Sequence, residues 1–172
     1  MFKLNKEIVV SLMESTKDDV GFAQNLSDKI VASVTEDLDI LMREIHKNVV
    51  NADYADDQTM SQYFLRLTNA LYFLSSRFEN FGFYDDITKA NARLKYNESY
   101  SENQLNHAND AKKPTQNDNQ LYAELHSVDE NVLNIIYSRS VKIIKGKFDA
   151  ASEMIRTLSK LLSLRMASNP TK

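Results

Sequence analysis

Met60, Phe64, Leu67, Leu71, Leu74, Phe78 and Phe81 stand alternately four and three residues apart. That spacing lays a single apolar stripe along an α-helix, the seam by which one helix packs on another. Val31, Val34, Leu38, Leu41 and Ile45 repeat it between about Ser27 and Val50. Three glycines and two prolines in 172 residues leave few places to turn, and Pro114 and Pro170 both lie in polar stretches. A few long helices are therefore expected instead of many short strands. The expected fold is all-α: a long antiparallel helical hairpin with additional N-terminal helices, its C-terminal helix used for oligomerisation.

Four helical segments are predicted. Leu4, Ile8 and Leu12, flanked by Val9 and Met13, give the stretch from Phe2 to Glu14 helical spacing, which polar residues and Gly21 then interrupt. The second and third segments carry the two seams above, the third from about Thr59 to Tyr100. Past Gly82 its spacing weakens, so the helix either continues as a more exposed rod or kinks there. Asn97 to Gln120 is rich in Asn, Gln, Asp and Ser, and is read as a polar loop with too little apolar surface to offset its ordering entropy. The last helix is predicted from Ser127, where Ser127-Val128-Asp129-Glu130 has the form of a capping box, to about Ala167. At 1.5 Å per residue it spans roughly 60 Å, more than a small domain can cover. Residues 1–56 are expected to form an N-terminal helical region and residues 57–172 a hairpin with the loop at 97–120.

Composition excludes much else. With 42% hydrophobic residues the chain can bury a core of about one domain. The absence of cysteine removes disulfides, iron–sulfur clusters and thiolate zinc sites. No apolar run approaches the roughly 18 residues of a membrane span, and the N-terminus lacks a continuous hydrophobic region ending in a cleavage site. A soluble cytoplasmic protein is the expectation. His46, His107 and His126 are far apart and form no metal-ligand pair. Asp53, Asp56 and Asp57 fit the start of a helix, where the dipole favours them, better than a divalent-cation site. With no phosphate-binding glycine loop or dinucleotide fingerprint either, a non-enzymatic protein without cofactor is expected.

Binding chemistry is better represented. The segment Ser138 to Arg165 holds seven Lys or Arg and two acids inside a chain of formal net charge -3. On a helical wheel, Leu133, Ile136, Ile144, Ala151, Met154, Ile155, Leu158, Leu161 and Leu162 share one broad face, with Lys142, Lys145, Arg156 and Lys160 opposite. Asp149 and Glu153 lie on that polar face too. It is read either as a solvated face laced with pairs such as Lys145 with Asp149, or as a lining for an anionic partner. Lys147 and Arg165 fall on the apolar side, where a cation needs a partner, an exit to solvent or a phosphate. Leu158, Leu161 and Leu162 extend the apolar face and are the expected oligomerisation contacts. Farther up the chain, Lys89, Arg93 and Lys95 are interleaved with Tyr96 and Tyr100, cations for phosphates beside aromatic faces for unstacked bases.

The run Asn91-Ala92-Arg93-Leu94-Lys95-Tyr96, the polar loop, the stretch SVDENVL and the closing helix SEMIRTLSKLLSLR together resemble the recombination mediator family of T-even-type phages, the UvsY family. The resemblance covers residues 62–167. It implies an α-helical protein that assembles into rings through long C-terminal helices, binds single-stranded DNA and helps a RecA-like recombinase displace a single-strand-binding protein. By position it makes Arg93 a DNA contact. The family's lysine two residues earlier is Asn91 here, so Lys89 or Lys95 would substitute for it. Residues 1–56 have no counterpart. The competing expectation is a non-enzymatic α-helical structural or adaptor protein, of a phage for example, acting through protein–protein contacts.

Overall fold

The structure, a computed structural model, describes residues 21–51, 55–111 and 113–168. Four α-helices account for most of them: α1 (Gly21–Ile45), continued by a five-residue π-helical turn at His46–Val50, α2 (Asp57–Asn106), α3 (Gln116–His126) and α4 (Val128–Ser168). No strand occurs among the described residues, so the fold is all-α. The helix expected at Phe2 to Glu14 lies outside the described residues, as does Asp53.

These residues divide into two compact units. One comprises 21–29 and 81–141, the other 30–80 and 142–168, so each draws on both sides of the boundary expected at residue 56. In the second unit the seams do what their spacing predicts. Val31, Leu38, Leu41 and Ile45 of α1 are buried, as are Met60, Leu67, Leu71 and Leu74 of α2 and Ile144, Ala151 and Leu158 of α4. Asn48 donates to the Tyr63 hydroxyl at 2.6 Å and Arg66 pairs with Glu44 at 2.9 Å, so α1 and α2 run in opposite directions there. Phe78 stacks on Phe148 with ring centres 6.4 Å apart, and Asp57 meets Arg165 at 3.2 Å, which sets α2 antiparallel to α4 within this unit.

The first unit has a different interior. Ser27, Ser99, Asn103, Asn119, Ser127 and Ser140 are buried beside Ala92 and Ala123, and Leu26 and Ile136 are its only large buried apolar residues among those described. Asn103 donates its amide to Asn119 at 2.7 Å, and the hydroxyls of Ser27 and Ser140 lie 3.0 Å apart. Small side chains bring helix backbones close together, and paired polar groups satisfy one another out of water.

Two expected boundaries move for the same reason. Asn97 to Asn106 is not loop but the last three turns of α2, because Ser99 and Asn103, one turn apart, face inward and Asn103 finds Asn119. Thr115 then starts α3 with a capping box: its hydroxyl accepts from the Asp118 N–H at 3.3 Å, and its own N–H donates to the Asp118 carboxylate at 2.8 Å. The connection is thus 107–115, not 97–120. Ser127 is not the N-cap of a box either. Its hydroxyl and its N–H both donate to Ala123 O, at 2.8 and 3.1 Å, closing the end of α3, and α4 begins at the next residue. Helix α2 is continuous through Gly82.

Candidate nucleic-acid interface

Lys89, Arg93 and Tyr96 stand four and three residues apart on α2, so they share one face. Buried Ala92 lets α4 approach that face, and the α2–α4 contact in this unit is set by Ser138 donating to Asp85 and by Tyr137 lying 5.8 Å from Tyr84. A groove of about 430 Å³ results, lined by Lys89, Ala92, Arg93, Tyr96, Asn97, Asn131 and Asn134. Lys89 and Arg93 are exposed, and Tyr96 is half-buried with its ring stacked on Tyr100 at 6.5 Å. Every polar lining residue is cationic or neutral, in a chain with 24 Asp and Glu against 21 Lys and Arg. Such a groove accepts an anion without a carboxylate to repel it.

Lys95 does not belong to this set. At 100° per residue it lies 200° round the helix from Arg93, and it lines a second groove of about 470 Å³ with Glu98, Glu130, Tyr84 and Tyr137. Two carboxylates there offset its charge. Burial, and then the neighbouring Tyr84, hold the Tyr137 hydroxyl above the usual phenol range. The expected trio is therefore divided, and Lys89 with Arg93 forms the basic pair.

Lys142, Lys145, Arg156 and Lys160 are all exposed on α4 in the other unit. Asp149 and Glu153 interrupt the stripe, and Arg156 is paired with Glu153 at 3.1 Å; the expected pair of Lys145 with Asp149 does not form. The two cations on the apolar side have partners inside their unit. Lys147 donates to Thr35 Oγ1 at 2.9 Å and to the Asp39 carboxylate. Arg165 donates to Ala55 O and to Asp57 Oδ1 at 3.2 Å. Both are held by the fold and are not aimed at a ligand.

The oligomerisation contacts also need correction. Leu158 is 0% exposed within its own chain, whereas Leu161 is 39% exposed and Leu162 is half-buried. Leu158 is a core residue, and the apolar surface at this end of α4 consists of Leu161 with Leu164 and Met166, 67% and 74% exposed. Asp56 caps α2: its carboxylate accepts from the Thr59 N–H at 2.7 Å and the Thr59 hydroxyl at 2.8 Å, which holds its pKa below the ordinary value. Among the described residues no three His, Asp or Glu side chains gather as a metal site would need, and no helix is long and apolar enough to cross a membrane.

Sequence reasoning missed Asn97, Asn131 and Asn134. Asn97 falls in the stretch whose composition reads as loop, and the other two join Arg93 only once α2 and α4 are paired. Compared with protein-family models, curated proteins and solved structures, the chain has no match.

Proposed function

We propose that this chain is a non-enzymatic single-stranded DNA-binding protein that uses the groove between α2 and α4. The observation that supports it is the lining itself: two cations and a tyrosine on one helix face, three carboxamides opposite or beside them, and no acid. Single-strand binding needs a basic track for the backbone and aromatic faces for bases, with stacking contributing about 1–3 kcal/mol per base. A single such groove binds weakly. Several on one strand bind far more tightly, so self-association through Leu161, Leu162 and Leu164 belongs to this reading. A role as a mediator, assisting a RecA-like recombinase against a single-strand-binding protein, follows from the family resemblance alone.

Fluorescence anisotropy with a labelled single strand, titrated at several salt concentrations, tests the reading. Lys89→Ala and Arg93→Ala should each weaken binding and flatten the salt dependence by about 0.7 in log–log slope for each phosphate no longer neutralised. Helical signal and melting temperature should hold, because exposed charges contribute little to folding. The structural or adaptor reading is favoured by Leu65, Tyr72 and Phe73 of α2, large apolar side chains left exposed. It requires no DNA binding at any salt.

A further inference from the structure

The groove holds more hydrogen-bonding chemistry than a base-indifferent track has use for. Cations and an aromatic face suffice to hold any single strand. Here three carboxamides line the same space. Asn131 is pinned by its amide nitrogen, which donates to Ser127 Oγ at 3.2 Å, leaving its carbonyl oxygen and a second N–H without a described partner. The Ser138 hydroxyl has one proton and gives it to Asp85, so its 3.4 Å contact with the Asn134 carbonyl is weak. The Asn134 amide hydrogens then have no partner among the described residues, and neither does Asn97. Donors and acceptors are thus both open toward the space that Tyr96 borders. At about 430 Å³ the groove lies near the lower end of small-molecule sites, roughly 300–1,000 Å³, which is room for one nucleotide.

We infer that the groove is a base-reading subsite that takes one nucleotide, with the phosphate on Lys89 and Arg93, the base on Tyr96 and its edge on the asparagine carboxamides, and that it prefers adenine to thymine. This rests on the single-stranded DNA reading above. A carboxamide makes a bidentate pair with N6 and N7 of adenine, donating to one and accepting from the other. A purine also offers Tyr96 the larger face to stack on.

The test is anisotropy of the full chain with three labelled strands of equal length: oligo-deoxyadenylate, oligo-thymidylate and an abasic backbone. Oligo-deoxyadenylate should bind roughly five- to tenfold more tightly than oligo-thymidylate, the discrimination of one bidentate pair. The abasic strand should bind most weakly. Asn131→Ala with Asn134→Ala should lower the adenylate affinity to that of thymidylate and leave the abasic strand unchanged. Should that pair disturb the helical signal, Asn97→Ala, at an exposed position, should narrow the same gap. Equal binding of adenylate and thymidylate, or tighter binding of thymidylate, overturns the base readout and leaves the DNA-binding reading standing. Binding of none of the three overturns both.

Discussion

Ile45, Met60, Leu67, Ile144 and Leu158 close the interior of one unit, while Ser27, Ser99, Asn103, Asn119, Ser127 and Ser140 fill much of the other. Helices α1, α2 and α4 each contribute to both units, so the difference comes from which side chains they turn inward and not from the kind of element. The apolar interior removes large side chains from water, each worth about 1.5–3 kcal/mol. The polar interior gains less per residue and depends on every hydroxyl and amide having a partner. The basic groove is built on the second kind of interior, where small residues let α4 come close enough to α2 to form it. The larger apolar burial and the proposed binding groove then lie in different units.

The largest expected effect is at Leu158. Leu158→Ala should cost about 2–5 kcal/mol, and Leu158→Asp more, because a carboxylate would replace a fully enclosed side chain. Chemical denaturation would show it as a fall in midpoint. Leu161→Asp, at an exposed position, should barely change the midpoint yet reduce the mass seen by light scattering. If Leu158→Asp changed only the mass, the apolar interior would be misplaced. Next comes the buried amide pair. Asn103→Ala should cost about 1–3 kcal/mol by stranding Asn119, and adding Asn119→Ala should recover most of it. Costs that simply add would show that each asparagine acts without the other. The smallest effect has the opposite sign. Ser99 carries a buried hydroxyl without a described partner, so Ser99→Ala should raise stability by about 1 kcal/mol. A decrease instead would mean that the hydroxyl is satisfied by water and belongs to the polar network.

How far this could be read in the sequence follows the same division. The seams through Leu38 and Leu67 were legible because large apolar residues at alternate steps of three and four have one economical explanation. The end of α2 was not, because Ser99 and Asn103 are buried by pairing and not by hydrophobicity, and pairing with Asn119 is invisible along the chain. Leu158 lies on an apolar face that the spacing shows, but a helical wheel does not tell whether a helix's own chain or another covers that face. Lys147 and Arg165 are misfits on an apolar face, and their partners Asp39 and Asp57 lie about a hundred positions away. The separation of Lys95 from Arg93 was legible, since two residues along a helix turn 200°.

Hydrogen exchange of the full chain, with and without saturating single-stranded DNA, tests the division of labour most directly. Residues 89–97 and 131–134 should exchange more slowly when the strand is present, since a ligand that binds only the folded site suppresses its opening. Residues 142–160, which carry the other basic stripe, should exchange at the same rate in both states. Protection confined to 142–160, or no change at either place with the strand in excess, would contradict the account.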